Sequence, residues 1–282
     1  MRVLVVGAQG MLGRDLVEIL SSSKEVIGWD IQELDITRRE KTREKIARLQ
    51  PRFIINCAAL TDVDGCETSR DLAFAVNSEG VRNLAVAALS VQARLVHLST
   101  HYVFDGASRR PYREEDPPAP LNVYGWSKHR GEVFLQESGV DHLIVRTAWL
   151  YGRRGKNFVE AILQQAEAGK ELRVVADQQG SPTFTRDLSA AIRDLMAAGA
   201  KGIFHVTNSG SCTWYEFARE ILERKGMGGI KVLPISAEEL RRPAKRPAFS
   251  LLDCSRYEKV SGEKMRPWVQ ALQDYFLPLE KE

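Results

Sequence analysis

Met1-Arg-Val-Leu-Val-Val-Gly7-Ala-Gln-Gly10-Met-Leu-Gly13 runs an apolar strand straight into a Gly-x-x-Gly-x-x-Gly turn and on into a helical stretch. A buried parallel strand delivers the backbone to a tight turn. The N–H groups of that turn, with the N-terminus of the following helix, form a seat for a pyrophosphate. Gly7 permits the turn, Gly10 lets a phosphate approach the main chain, and Gly13 lets helix and strand pack closely. Three spaced glycines alone also describe an ordinary loop. Their position between Arg2–Val6 and Met11–Leu20 is what makes them read as a dinucleotide-binding turn.

Outward from this turn, strand-like and helix-like stretches alternate. Strands are expected at Arg2–Val6, Glu25–Asp30, Phe53–Asn56, Arg94–Ser99 and His142–Thr147, with helices at Met11–Leu20, Arg38–Leu49, Arg70–Ser90 and Val123–Glu137. The strands are nearly continuous apolar runs, as a parallel sheet covered on both faces requires. This βαβ alternation predicts an α/β fold, a doubly wound parallel sheet of the Rossmann type. Beyond residue 150 the pattern loosens. Helical periodicity returns at Asn157–Ala168, Arg186–Ala198 and Thr213–Lys225, with short strands at Leu172–Ala176 and Gly202–Val206. The expected division is a dinucleotide-binding domain from 1–150 plus about 183–212. A smaller C-terminal substrate lobe, from about 151–182 and 213–282, would close over the strand ends.

Composition narrows the function classes. A net charge of +3 over 282 residues, with no basic stripe, argues against a nucleic-acid partner. No apolar run reaches the roughly 20 residues of a membrane span, and the N-terminus reads as a strand rather than a leader peptide. Cys57, Cys66, Cys212 and Cys254 show neither a C-x-x-C pair nor ligand spacing. Scattered thiols of this kind suggest a reducing compartment, so a cytoplasmic protein without zinc is expected.

The chemistry gathers at Tyr124-Gly-Trp-Ser-Lys128, a phenol and an ammonium four residues apart on one helical face. A lysine cation near a tyrosine is expected to favour the phenolate, lowering the phenol pKa from about 10 toward working pH. Such a tyrosine can pass a proton to or from a carbonyl oxygen while hydride moves at the adjacent carbon. Ser99-Thr100 ends an apolar strand at the carboxyl edge, where a hydroxyl can stabilise charge on the same oxygen. Hydroxyl, tyrosine and lysine downstream of a glycine turn resemble the extended short-chain dehydrogenase/reductase superfamily.

The resemblance narrows over several segments taken in order. Leu98-Ser-Thr-His-Tyr-Val-Phe-Asp-Gly106, Tyr112-Arg-Glu-Glu-Asp116 and Pro120-Leu-Asn-Val-Tyr-Gly-Trp-Ser-Lys128 with Gly131-Glu132 are similar to the dTDP-4-dehydrorhamnose reductases. So are Asn56-Cys-Ala-Ala-Leu-Thr-Asp-Val-Asp64, Val76-Asn77, Arg146-Thr-Ala-Trp-Leu-Tyr-Gly152, Asp177-Gln-Gln-Gly-Ser-Pro-Thr183, and Arg246-Pro247 with Ser250 and Leu252-Asp253. The resemblance implies Tyr124 as proton donor, Lys128 as its partner and a ribose contact, and Thr100 as polarising hydroxyl. It implies cofactor contacts at Gly7, Gln9, Gly10, Met11, Gly13, Asp30, Asp35, Ile36, Ala58, Ala59, Leu60 and Leu98, besides Tyr124 and Lys128. Trp149 matches the aromatic that meets the sugar nucleotide, and Arg246 suits the substrate pyrophosphate. His101 departs from the pattern, which has an acid after the Ser/Thr pair, and it could contact the sugar instead.

Asp30 closes the second strand where an acid would meet the adenosine ribose, favouring NADH. Arg38 and Arg39 nearby could accept the extra phosphate of NADPH, so both cofactors stay open. Trp214, Tyr215 and Phe217, at helical spacing, read as core or lobe-closing contacts. The resemblance implies reduction of a dTDP-sugar ketone and is compatible with a homodimer; no residue is assigned to a metal, and metal dependence stays open. Two competitors stand beside it. One is an NADP-binding regulatory subunit like that of methionine adenosyltransferase, the other a reductase or epimerase of a different nucleotide sugar.

Overall fold

The computed structural model describes residues 1–278. The first half runs β1 (Arg2–Val6), α1 (Met11–Ser21), β2 (Glu25–Trp29), α2 (Arg39–Leu49), β3 (Phe53–Asn56), α3 (Val63–Thr68), α4 (Arg70–Phe74), α5 (Gly80–Ser90), β4 (Arg94–Thr100), α6 (Val123–Glu137) and β5 (His142–Thr147). The second half runs β6 (Leu150–Tyr151), α7 (Phe158–Glu167), β7 (Leu172–Val175), β8 (Gln179–Gly180), β9 (Thr183–Phe184), α8 (Thr185–Ala197) and β10 (Gly202–His205). It ends with β11 (Cys212–Thr213), α9 (Trp214–Arg224), β12 (Val232–Ile235), α10 (Ser255–Ser261) and α11 (Trp268–Phe276).

Six parallel strands form the central sheet in the order β10-β5-β4-β3-β1-β2. Successive side chains of β1 point to opposite faces, and both faces are covered, so Val3–Val6 are all apolar and buried. Val3 and Val5 join Leu16, Leu188 and Ile192 of α1 and α8 on one side. Leu4 and Val6 join Ile46, Leu84 and Leu135 of α2, α5 and α6 on the other. From β1 the chain first winds outward to β2, then crosses back to β3 and continues the opposite way. That reversal leaves a crevice beyond the carboxyl ends of β1 and β3, the usual ligand position in such sheets.

After β5 a second apolar cluster builds around Trp149, Tyr151, Phe184, Phe217, Trp268 and Tyr275, contributed by the short strands together with α7, α9 and α11. The intervening β10 returns to the large sheet and pairs with β5. Tyr257 of α10 is buried in the sheet-side core with Leu188 and Phe204.

The helix expected over Arg70–Ser90 is not continuous. A π-turn at Ala75–Glu79 separates α4 from α5. Its widened turn aims the fully buried Asn77 outward, where Oδ1 accepts from the Leu60 N–H (2.8 Å) and Nδ2 donates to the Leu60 carbonyl (3.0 Å) and Ser127 Oγ (3.0 Å). One side chain thus ties the loop after β3 to α6. Hydrophobic period alone could not show this, because the apolar positions on either side remain helical. Asn77→Ala would leave the backbone groups of Leu60 without partners, a loss of about 3 kcal/mol. Urea unfolding followed by circular dichroism should show that loss as a lowered midpoint with unchanged slope.

Candidate active site

A cleft of about 950 Å3 opens at the carboxyl ends of the central strands. Its floor at one end is the glycine turn. Gly7 sits at φ +76°, and a Cβ there would lie 2.7 Å from the Ala58 nitrogen, so the turn abuts the end of β3. A side chain at Gly13 would fall on the Gly7 carbonyl oxygen. Helix α1 starts at Gly10, which offers no side-chain cap, and has no acid in its first turn. The leading N–H groups of α1 therefore stay free for an anion, and Arg14, Arg154 and Lys156 line the same end. The turn fits a dinucleotide pyrophosphate. Asp30 lies at the end of β2, and its Oδ2 accepts from the Gln9 N–H at 2.9 Å.

The loop at 152–157 borders this end, with Gly155 at φ +117° beside Met11. From within this loop the Arg153 guanidinium donates to the carbonyls of Asp274, Tyr275 (3.0 Å) and Leu277 (2.8 Å), capping the C-terminus of α11.

Helix α6 supplies the other end. Asn122 caps it by accepting from the Gly125 N–H (2.8 Å), which sets where the helix begins. Tyr124, Lys128 and Glu132 then follow at intervals of four, on one face. Lys128 Nζ donates to the Leu98 carbonyl of β4 (2.6 Å). Glu132 is locked to Arg146 of β5 by two hydrogen bonds of 2.9 and 2.7 Å, both groups shielded from water. Thr100, the last residue of β4, accepts from the Tyr102 N–H (3.2 Å), and its hydroxyl lies in the cleft beside the Tyr124 phenol.

The expected effect of Lys128 on Tyr124 is not what the geometry delivers. Burial pushes the Tyr124 phenol above its ordinary range, the adjacent Tyr102 adds to this, and the Thr100 hydroxyl pulls the other way. The ammonium is turned to the Leu98 carbonyl, and burial lowers Lys128 to about 8 against the opposing pull of Glu132. Tyr124 is therefore a loaded acid rather than a phenolate.

The chain matches the family described as RmlD substrate binding domain over residues 1–280. It belongs to that family. A relative named dTDP-4-dehydrorhamnose reductase from Streptomyces griseus is 43% identical, covering 98% of this chain and 93% of its own. One named dTDP-4-keto-6-deoxy-D-glucose reductase from Streptomyces niveus is 41% identical, covering 98% and 96%. The crystal structure of a dTDP-4-dehydrorhamnose reductase from Bacillus anthracis str. Ames in complex with NADP superposes with a TM-score of 0.94 at 41% identity, covering 98% of each chain.

Of the residues singled out from the sequence, Gly7, Gln9, Gly10, Met11, Gly13, Ala59, Leu98, Thr100, His101, Tyr124, Lys128 and Trp149 line this one cleft. Asp30, Asp35, Ile36, Ala58 and Leu60 do not line it. Asp35 accepts from the Thr37 N–H (3.0 Å) and hydroxyl (2.7 Å), Ile36 is buried in the core, and Ala58 and Leu60 are held through their backbones by Asn56 and Asn77. Arg246 faces a second cavity of about 980 Å3, alongside Arg173, Arg241, Arg242 and Lys245, with a two-pronged bond to Asp64 (3.0 and 2.8 Å). Tyr102 and Trp214 border both cavities, and the sequence reading gave neither a ligand-facing role. Thr213 and Glu216 form a reciprocal cap at the start of α9. That Thr-x-x-Glu spacing was the signal that could have placed Trp214 at a helix entrance facing the cleft. Among the described residues, no group of three or more His, Cys, Asp or Glu side chains is placed to hold a metal ion.

Three histidines are buried uncharged. His97 bonds to the Asn56 amide (3.2 Å), His205 Nδ1 bonds to the Tyr112 carbonyl (3.0 Å), and His101 has Nδ1 buried without a partner. Burial lowers His101 to about 4, His205 to about 3, and His97 well below the ordinary value. His101 thus adds no charge beside Thr100 at neutral pH. Below about pH 6.5 the unfolded chain takes up three protons that the folded chain refuses, so stability falls with pH at about 1.4 kcal/mol per unit for each histidine. Urea titrations should register a loss of roughly 3–4 kcal/mol between pH 6 and pH 5. His101→Gln should reduce that slope by about a third.

Proposed function

We propose that this chain reduces the C4 ketone of dTDP-4-dehydro-L-rhamnose to dTDP-L-rhamnose, with NADPH or NADH as hydride source. One observation carries the reading. Thr100, Tyr124 and Lys128 converge from β4 and α6 on a cleft whose far end is an anion-binding glycine turn. The relatives named for this reduction, and the similar structure with NADP, support it.

Bound reduced nicotinamide supplies hydride to the carbonyl carbon. The protein's part is to manage the oxygen. Tyr124, kept protonated by burial, gives its phenolic proton to that oxygen as charge develops there. Thr100, oriented by the Tyr102 N–H that it accepts, donates a second hydrogen bond to the same atom. Lys128, fixed by the Leu98 carbonyl, holds the cofactor ribose. Ala59 and Leu98 border the rest of the nucleotide site, with Asp30 held beside the glycine turn through the Gln9 N–H, while Trp149 and His101 border the sugar. The cationic second cavity, with Arg246 clamped by Asp64, takes the diphosphate of the substrate.

The cytoplasmic expectation belongs to this reading; no helix among the described residues is long and apolar enough to cross a membrane. A second reading, reduction of dTDP-4-keto-6-deoxy-D-glucose, draws on the Streptomyces niveus relative and uses the same machinery on another hexose. Loss of the reduced-nicotinamide absorbance with dTDP-4-dehydro-L-rhamnose, followed by product identification, tests one against the other. Tyr124→Phe should lower kcat at least about a hundredfold while leaving NADPH affinity within about twofold. A variant with unchanged turnover removes Tyr124 from the acid role.

A further inference from the structure

Trp149 has no open face. On one side it lies against Gly180, where any Cβ would collide with the indole. On the other it is covered by Trp214, with ring centroids 3.5 Å apart and planes within 8° of parallel. Its backbone is fixed in the left-handed region at φ +46°, a conformation a bulky residue holds only when its surroundings impose it. Trp149 is therefore the immobile member of the pair.

Trp214 is held less firmly. It is partly exposed, and its remaining close ring neighbour is Phe158, 4.6 Å away and tilted by 50°. A sandwich with so little lateral offset is the arrangement that ring quadrupoles favour least. Trp214 also stands, with Tyr102, at the boundary between the cleft of Thr100 and Tyr124 and the cationic second cavity. A nucleotide sugar reaching from one to the other must pass it.

We propose that Trp214 is a substrate-binding residue that covers the face of Trp149 until a hexose ring takes its place. The inference rests on the reading that a nucleotide sugar binds with its hexose beside Thr100 and Tyr124. The C–H face of a 6-deoxyhexose is apolar and carries partial positive charge, and it suits the negative face of an indole better than a second indole does. The polar rim of the sugar is then free to meet Thr100 and Tyr124.

Two stacked indoles couple electronically and give a paired positive and negative circular-dichroism band. Trp149 and Trp214 are the tryptophan pair in ring contact among the described residues. The wild type should show this band and Trp214→Phe, which preserves an aromatic packing surface, should lack it. A wild type without the band is not stacked in solution, and the proposal falls. Saturation with dTDP-L-rhamnose, without cofactor and with binding followed by calorimetry, should abolish the band, and dTDP alone should leave it. A band that persists in the dTDP-L-rhamnose complex, or that dTDP alone removes, overturns the assignment to the hexose. Failure of calorimetry to detect binding of either ligand overturns the proposed function, and this inference with it.

Discussion

Glu132 and Arg146 meet where neither can reach water, and the pair settles how α6 lies on the sheet. The guanidinium is also placed over the ring of Phe104, 5.2 Å from its centroid, and lies 3.5 Å from His205 Nε2. A charge stranded in such a place costs about 3–5 kcal/mol, so sliding or rotating α6 away from β5 is strongly opposed. Since Tyr124, Lys128 and Glu132 share one helical face, fixing the last of them orients the other two. The catalytic geometry is inherited from an ion pair that need not touch any ligand.

The same pair explains how one stretch of helix can carry both an acid and a cation without their neutralising each other. Glu132 lies on the far side of Lys128 from Tyr124 in sequence, and the Leu98 carbonyl supplies the nearest partner for the ammonium. The phenol is left in apolar company, edge-on to Tyr102 at 5.4 Å. Burial then dominates its acidity, and proton donation suits it better than proton removal.

Much of this was legible before any coordinates. The strand limits around Gly7, Thr100 and Thr147 agree with the apolar runs to within a residue, because a sheet covered on both faces buries nearly every position along them. The glycine turn, the hydroxyl and the Tyr-x-x-x-Lys pair singled out in order along the chain line one cleft. What escaped depends on contacts between distant segments. The π-turn at Asn77 answers to Leu60 and Ser127. The phenol acidity answers to burial, which spacing does not reveal. Trp214 read as a core or lobe-closing contact because it stands at helical spacing with Tyr215 and Phe217, and only the approach of Trp149 shows its other surface. Helices α10 and α11, missed entirely, are short amphipathic segments whose identity comes from what they cover.

Arg153 ties these distant parts together in another way. Its three bonds to the end of α11 come from within the loop that borders the glycine turn. The final helix is thereby a hasp on the cofactor mouth. A displacement of the end of α11 would also shift the loop beside the glycine turn, since Arg153 belongs to the one and is bonded to the other.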